Sequence, residues 1–369
     1  MAISLRRAFA ALACFTLSIV LSATAALAQE PVKVGIVLPI SGQNAQYVKQ
    51  YMVAAHEMAV KDTNDKGGVL GRKIELVVED SRTDPSSAVS ALRKLADVDK
   101  ILASFSGFTP LTMPQLPIAE EKRIIVVAPS TEHPDLTKSK WAVRMTPTAD
   151  KSGIKTGQLA IGHGMKTAAL IVEDNESIRI TERAFRAEFE KLGGKVVQSE
   201  SFKNQDTDVR GQLTKLRAAR PDALYIVTST GRPMALVLKQ INEVGFKPKQ
   251  IFANHLIEDK EVRAIGGEMA EGVIYTSLNV APAFAKRVKD QLGYDPDANF
   301  GKHYDASMLL FDAIRRAGSV DAAKVRDAIY SYGKFSGVLG EFVFDGSGEP
   351  GILPSTKIVK GGQYVPYDK

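Results

Sequence analysis

Cysteine is almost absent from this sequence, since Cys14 is the only one in 369 residues. Residues 1–28 have the pattern of a secretory signal, with two early arginines, an apolar stretch and an A-x-A cleavage site that ends at Ala28. Cleavage after Ala28 would remove the cysteine. We therefore expect a mature protein without disulfides, thiolate nucleophiles or cysteine-bound metals.

Two other interpretations of this segment are less well supported. A membrane anchor would need a longer apolar core, and this core is short and interrupted by Ser and Thr. Lipid attachment at Cys14 would need a bulky aliphatic residue three positions earlier, where Ala11 stands. We expect an exported, soluble protein.

The sequence also lacks a block of like charge. Its net charge is +6, which becomes +4 without Arg6 and Arg7, and basic and acidic residues are interspersed throughout. No basic block with interleaved aromatic residues occurs, so a nucleic-acid partner is not expected.

Motifs for cofactor and metal chemistry are missing as well. The first strand is not followed by G-x-G-x-x-G, and no Walker A run, G-x-S-x-G elbow, H-E-x-x-H pair or EF-hand loop occurs. These absences argue together against an enzyme, and no cofactor or metal ion is expected.

What the chain does contain is a regular alternation of short apolar runs with amphipathic stretches. "KVGIVLPI" and "KIELVVED" read as strands, and "DPSSAVSALRKLA" reads as a helix with Asp84 as N-cap and Pro85 at its first position. The alternation restarts with "TAALIVED", which begins at residue 167. Such a pattern predicts an α/β fold with two doubly wound, Rossmann-like lobes.

The C-terminal part is organised differently. Residues 281–332 read as mainly helical, and two strand-like segments follow. This is too little for a third domain, so we expect it to complete the two lobes and the chain to cross between them several times. A ligand could then bind in the crevice between the lobes, with hinge closure around it.

Several phrases in the sequence resemble the type I periplasmic binding proteins, and more narrowly the branched-chain amino-acid (Leu/Ile/Val) receptor group of ABC importers. They are "NDKGGVLGRKIELVVEDSRTDPSSAVSALRKLA", "PIAEEKRIIVVAPSTEHPDLT", "LGGKVV" and "DTDVRGQLTKLRAARPDALYIV". The resemblance implies a Venus-flytrap fold with a three-crossing hinge, a periplasmic location, and delivery of a small solute to a permease in the inner membrane. We expect a monomer with this division of the chain: signal peptide 1–28, lobe 1 formed by 29–147 plus 278–343, and lobe 2 formed by 148–277 plus 344–369.

The resemblance places candidate ligand-binding residues after the first lobe's strands. Tyr47 matches an aromatic residue of the cleft wall, with Gln46 beside it, although periodicity is equally consistent with a core position for Tyr47. Thr109 keeps a hydroxyl for a ligand carboxylate and is read as an N-cap before Pro110. Phe108 departs from the small residues of the family, and either packs under the loop or stacks on a flat ligand.

The next loop, "PSTEHP", offers Ser130 and Thr131 as hydroxyl and backbone ligands. Glu132 stands where the family has a hydroxyl. It either contacts the ligand or caps the turn before Pro134.

The second lobe departs most from the family. The acidic residue that holds an amino acid's ammonium corresponds to His255, the tyrosine to Thr230, and an aromatic residue to Ser177 or Ile178. An ammonium without a carboxylate partner is costly to bury, so the pocket suits an amino acid only if Glu132 supplies the charge. A lone histidine in a loop, such as His255, is more often an ordinary surface residue than a ligand-binding one.

The resulting prediction is a receptor for a small carboxylate-bearing ligand, either an aromatic acid or otherwise an amino acid. A module that presents the same cleft to a signalling receptor is an alternative. An exported enzyme is a third possibility, and it would turn its ligand over.

Overall fold

The computed structural model describes residues 30–42 and 44–367. The predicted signal segment, with Cys14 and the cleavage site after Ala28, lies outside these ranges. The strands are β1 (Val32–Leu38), β2 (Ile74–Asp80), β3 (Ala103–Gly107), β4 (Ile125–Ser130), β5 (Ala142–Arg144), β6 (Thr167–Glu173), β7 (Lys195–Phe202), β8 (Ala223–Val227), β9 (Gln250–Asn254), β10 (Ile274–Ser277), β11 (Lys334–Gly337), β12 (Gly340–Val343), β13 (Ser355–Lys360) and β14 (Gln363–Pro366).

The α-helices connect these strands or cover the sheets. They are α1 (Ala45–Tyr47), α2 (Ala54–Asp65), α3 (Pro85–Lys94), α4 (Thr109–Thr112), α5 (Leu116–Lys122), α6 (Ala149–Gly162), α7 (Glu176–Lys191), α8 (Arg210–Ala218), α9 (Gly231–Glu243), α10 (Pro282–Leu292), α11 (Ala298–Ala317) and α12 (Ala322–Tyr330).

Two separate sheets form the centres of two lobes. The first has five parallel strands in the order β2-β1-β3-β4-β5. The second has seven strands in the order β14-β13-β10-β9-β8-β6-β7, and only β13 and β14 run antiparallel to their neighbours. Parallel neighbours joined by helices are the doubly wound arrangement, so the predicted fold class is confirmed.

The alternation of side chains explains why both faces of the second sheet are covered. In β8, Leu224 and Ile226 join one apolar cluster, whereas Ala223, Tyr225 and Val227 join another. Successive residues of a strand point to opposite faces, so one continuous apolar run supplies two cores.

The chain passes between the two sheets three times. It leaves the first sheet after β5, returns after β10, and enters the second sheet again before β13. Helix α11 packs against β4 and α2, and its apolar residues belong to the core of the first lobe. The C-terminal part therefore completes both lobes, as its composition indicates.

Local sequence signals set several helix ends as expected. The Asp84 carboxylate accepts a hydrogen bond from the Ser87 amide, and Pro85 is the first residue of α3. Gly193 and Gly245, which follow α7 and α9, have φ values of 93° and 63°. Glycine adopts this left-handed conformation without steric cost, so both helices end there.

Two helices begin earlier than their apolar periodicity indicates. The periodic segments begin at Arg183 and His303, but α7 starts at Glu176 and α11 at Ala298. Side-chain caps cause the difference, because Asn175 accepts a hydrogen bond from Ser177 N and Asp297 accepts one from Phe300 N. Both extra first turns contribute residues to the site described below.

The contact between α6 and α7 gives a first prediction. A Cβ atom at Gly153 would lie 2.3 Å from the Thr181 carbonyl oxygen and 2.9 Å from the Phe185 nitrogen, so Gly153→Ala must push the two helices apart. We expect the free energy of unfolding to fall by about 2 kcal/mol, as for other overpacked sites. Urea titration measures it.

A matched control lies in the same helix. A Cβ atom at Gly162 meets nothing within 4 Å, so Gly162→Ala should raise stability by about 0.5 kcal/mol through lower backbone entropy of the unfolded chain. Equal effects of the two substitutions would contradict the assigned close approach.

Candidate functional site

A cleft lies where the carboxyl ends of the two sheets' strands face each other. Its volume is about 360 Å³, and its walls come from the segments that directly follow β1, β3, β4, β6, β8 and β9. Parallel strands that end at one edge bring residues from distant parts of the chain together, and α/β proteins bind ligands at that edge. We call this cavity the interlobe cleft.

Nine of the eleven predicted ligand-binding residues line the interlobe cleft. They are Tyr47, Phe108, Thr109, Ser130, Glu132, Ser177, Ile178, Thr230 and His255. The other two lie elsewhere, since Gln46 is exposed outside the cleft and Thr131 is fully buried. The Thr131 hydroxyl donates to Thr112 at 2.9 Å, so it has a structural partner already. Ligand contact by the nine residues stays a prediction.

The turn after β3 differs from the expected cap. Thr109 is the first residue of the short helix α4, and Phe108 occupies the N-cap position. Phe108 has φ = 67°, which is uncommon for a bulky residue. Its amide donates to the Ser130 carbonyl at 3.1 Å, which holds the turn in this conformation. The ring of Phe108 lines the cleft and also packs against the core of the first lobe, so both proposed roles have a structural counterpart.

The loop after β4 shows that Glu132 does not cap the following turn. The 3₁₀ turn Pro134–Lys138 is capped by His133, whose Nδ1 accepts from the Asp135 amide. Arg144 donates to the carbonyls of Thr131 and His133, on either side of Glu132, at 2.6 and 2.5 Å. The buried guanidinium therefore holds the backbone that presents Glu132 to the cleft.

A row of hydrogen bonds runs from the core of the first lobe to the cleft wall. Ser307 Oγ lies 2.7 Å from His56 Nδ1, His56 Nε2 lies 2.8 Å from His303 Nδ1, and His303 Nε2 lies 3.0 Å from Ser130 Oγ. We call these four residues the histidine chain. Burial lowers the pKa of His56 to about 3 and the pKa of His303 well below its usual value, so both rings are neutral.

The same row continues along the cleft wall and fixes the direction of every bond. Ser130 donates to Asn299, Asn299 donates to Tyr47 at 2.6 Å, and Tyr47 donates to the Asp297 carboxylate at 2.5 Å. Because the Ser130 proton is used towards Asn299, His303 must donate to Ser130 through Nε2 and accept from His56 through Nδ1. Burial raises the pKa of Asp297 to about 6.

The wall formed by the second lobe is similarly anchored. Glu173, at the end of β6, accepts from the amide and the hydroxyl of Ser229 and from the Asn204 side chain. Its carboxylate is thereby fully engaged in holding the loop after β8. The side chain of Asn204 also donates to the Thr230 hydroxyl at 3.1 Å.

A side-chain hydrogen bond between described residues joins the two lobes across the cleft. The Ser177 hydroxyl, in the first turn of α7, donates to the Thr109 hydroxyl at 2.9 Å. A second contact at the rim is the 3.5 Å approach of His133 Nε2 to the Glu176 carboxylate. The two predicted residues Thr109 and Ser177 thus meet each other, and their bond can form only when the lobes are close together.

A second prediction concerns this bond. Ser177→Ala removes its donor and should disfavour lobe closure by about 1 kcal/mol, which corresponds to about a fivefold weaker ligand affinity. Isothermal titration calorimetry measures the change. Ser90→Ala, an exposed serine within α3, serves as the control. Equal affinities of the two variants would mean that the bond does not contribute to closure.

Sequence reasoning missed several residues of the cleft. Lys302 and Asn299 lie in the early turns of α11, which periodicity placed before the helix. Asp259 also lines the cleft and packs against Gly231. A Cβ atom at position 231 would lie only 2.1 Å from the Asp259 Cγ, so this close packing requires a glycine there. Asp297 has the pattern of an N-cap residue, which could have located the start of α11. No local signal in the sequence indicates that the first turns of α11 face the strand ends of both lobes.

Three titratable side chains at the deep end of the cleft have no polar partner. Within the described ranges, the side chains of Glu132, His255 and Lys302 form no hydrogen bond and no ion pair within 4.0 Å. Burial raises the pKa of Glu132, lowers the pKa of His255 to about 3, and lowers the pKa of Lys302. These groups are therefore available to a ligand.

Neither a metal site nor a membrane span is found in the part of the chain that the structure describes. No group of three or more His, Cys, Asp or Glu side chains there is arranged to hold a metal ion. No helix within residues 30–42 and 44–367 is long and apolar enough to cross a membrane.

Comparisons with known proteins agree with this architecture. The family described as periplasmic binding protein matches residues 31–354. A Leu/Ile/Val-binding protein homolog of Brucella melitensis is 28% identical over 330 residues, which cover 86% of this chain and 87% of the relative.

Solved structures share the fold. A leucine-binding protein of Thermotoga maritima has a TM-score of 0.84 and 28% identity, over 91% of this chain and 98% of its own. A solute-binding protein of an ABC transporter from Rhodopseudomonas palustris, in complex with 3,4-dihydroxybenzoic acid, has a TM-score of 0.81 and 22% identity, over 92% and 96% of the two chains. At that identity the second likeness shows the fold alone.

Proposed function

Because the chain belongs to the periplasmic binding protein family, we propose that it is the solute-binding receptor of an ABC importer. It would capture a small carboxylate-bearing ligand in the interlobe cleft and deliver it to a permease in the inner membrane. The observation that carries the proposal is the cleft itself, which lies at the strand ends of both lobes and holds unpartnered charged groups.

The proposed mechanism needs no chemical step. A ligand that contacts both walls stabilises the closed arrangement of the lobes by its differential affinity for that arrangement. The permease would distinguish the closed surface from the open one. The receptor acts as a monomer, and export with cleavage after Ala28 belongs to the same proposal.

Two ligand classes fit different parts of the cleft. Phe108 and Tyr47 offer aromatic surface, and neutral His255 stands where the resemblance expects an acid, which supports an aromatic acid. Glu132 faces the cleft without a partner and could accept an ammonium, which supports an amino acid. The relatives reflect both classes, because one is named for Leu/Ile/Val and one structure holds 3,4-dihydroxybenzoic acid.

Matched ligand pairs separate the two classes. Mature protein from Gln29 onwards, refolded after denaturation to remove carried-over ligand, would be titrated with leucine, 4-methylpentanoate, benzoate and 3,4-dihydroxybenzoate. Leucine and 4-methylpentanoate differ by the ammonium alone. Binding of the aromatic acids alone favours the first class, and a strong preference for leucine over 4-methylpentanoate favours the second. Binding of none of a broad panel of carboxylates would contradict the proposal.

A third prediction tests the role of Glu132. If the ligand is an amino acid, Glu132→Gln should weaken leucine binding about 30-fold or more, since it removes the carboxylate partner of a desolvated ammonium. Binding of 4-methylpentanoate should change little. If the ligand is an aromatic acid, the variant should bind it as well as the wild type does. A 30-fold loss for every ligand would instead indicate that Glu132 is needed for the shape of the loop.

A further inference from the structure

Lys302 is a basic residue of the cleft that has no ion-pair or hydrogen-bond partner among the described residues. Its side chain is only 3% exposed, yet it lines the interlobe cleft. The residue lies in the second turn of α11, so its backbone is held by a long helix in the core of the first lobe. A buried ammonium without a partner is strongly unfavourable, because it has lost water and gained no anion in exchange.

The neighbouring acids are already engaged. The carboxylate of Asp297 accepts from the Tyr47 hydroxyl and from the Phe300 amide. The carboxylate of Glu258 accepts from Lys357 at 2.8 Å and from the Tyr275 hydroxyl at 3.0 Å. Neither lies within 4.0 Å of the Lys302 ammonium, so neither forms an ion pair with it.

Glu132 is the remaining candidate for a partner within the protein. It attracts Lys302 electrostatically, but the two groups stay more than 4.0 Å apart. The two side chains and His255 also line a second, smaller cavity behind the cleft. The buried hydroxyls of Thr146 and Ser277 face that cavity without hydrogen-bond partners. The deep end of the cleft is thus a polar site with one cation.

We propose that Lys302 binds the carboxylate of the captured solute. This inference rests on the proposed function and adds the residue that recognises the acid group. The resemblance places that role at Thr109, whose hydroxyl accepts a hydrogen bond from Ser177 and still has its own proton to donate. A neutral hydroxyl on a helix of only four residues does not supply the positive charge that Lys302 offers to a carboxylate. The ligand's acid group therefore points to the deep end of the cleft, and the rest of the molecule lies between Phe108 and the second lobe.

The experiment compares each carboxylate with the corresponding primary amide, in which an uncharged group replaces the acid group. Calorimetry would measure binding of benzoate, benzamide, leucine and leucinamide to the wild type, to Lys302→Met and to Lys247→Met, an exposed lysine away from the cleft. We expect Lys302→Met to bind the preferred carboxylate about 100-fold more weakly or worse, and to lose the preference for carboxylate over amide. Lys247→Met should behave as the wild type does.

Thermal unfolding without ligand distinguishes recognition from a structural role. Because Lys302→Met removes an uncompensated buried charge, the unliganded variant should melt no lower than the wild type. A variant that keeps the wild-type preference for carboxylate over amide would overturn the inference and leave the proposed function intact. Failure of the wild type to bind any carboxylate of the panel would overturn both.

Discussion

Replacing Arg144 by methionine is expected to lower the free energy of unfolding by about 3 kcal/mol, because a fully buried guanidinium loses its ion pair with a partly exposed carboxylate and its two hydrogen bonds to backbone carbonyls. Arg144 is fully buried, and its Nε lies 3.0 Å from both carboxylate oxygens of Glu349. Its other nitrogens donate to the carbonyls of Thr131 and His133. Methionine fills a similar volume but leaves the carboxylate and both carbonyls without these donors, which is why the loss should be large.

Urea unfolding followed by tryptophan fluorescence measures the effect. Trp141 is the only tryptophan in the sequence and lies three residues from the substitution, so its signal reports the first lobe. Arg186→Met is the matched control, since the side chain of Arg186 on α7 is 38% exposed and its ion pairs lie at 3.7 and 3.8 Å. That variant should lose at most about 0.5 kcal/mol. A loss below 1 kcal/mol for Arg144→Met would contradict the assigned role.

The same substitution should also weaken ligand binding. The two carbonyls that Arg144 holds flank Glu132 in the loop that forms the cleft wall. A double variant that adds Glu349→Gln should be less destabilised than the sum of the two single changes, because both remove the same ion pair.

The two rings of the histidine chain are expected to contribute stability that is lost on acidification. Folding lowers the pKa of His56 to about 3 and the pKa of His303 well below its usual value, in both cases mainly through burial. The charge of Lys302 lowers the pKa of His303 further. A group with a lowered folded-state pKa contributes stability above its unfolded pKa of about 6.5, and this contribution is lost as the pH falls towards the folded value.

The expected slope is large. Each histidine contributes up to about 1.4 kcal/mol per pH unit, and the unfolded rings are half protonated at pH 6.5, so the pair should contribute about 3 kcal/mol between pH 6.5 and pH 5. Buried acids act in the opposite sense. Burial raises the pKa of Asp297 to about 6 and the pKa of Asp305 to about 7. The stability that these two protonated carboxyl groups contribute is lost as the pH rises through those values.

A double variant isolates the histidines from the acids. His56→Leu with His303→Leu keeps Asp297 and Asp305, so the difference between wild type and variant cancels the contribution of the acids. The wild type should lose about 3 kcal/mol relative to the variant when the pH falls from 6.5 to 5. Parallel pH profiles would show that the two rings titrate normally in the folded protein. Histidine NMR shifts down to pH 5 give a direct check.

Much of the fold could be predicted from local patterns. The apolar run that becomes β8, the N-cap Asp84 and the glycine after α7 act over a few residues, and each appears in the structure at its expected place. The restart of the alternation at residue 167 predicted the second sheet. The loops that follow the strands were predicted to form the site, and Phe108 and His255, which lie in two of these loops, line the cleft.

The sequence by itself determined the two series of strands and helices that form the two lobes, and the loops that follow the strands, because apolar period, caps and glycines are local properties. The order of the strands within each sheet is a property of the tertiary structure. Only the tertiary structure decided that Lys302 and Glu132 line the same cavity, that Ser177 meets Thr109, and that a buried arginine holds the loop of Glu132. The reason is that these contacts join different elements of the chain, two of them from different lobes or crossings and one over 13 residues. Their energies depend on distance, burial and the occupation of neighbouring acids, and none of these is a property of a short stretch of sequence.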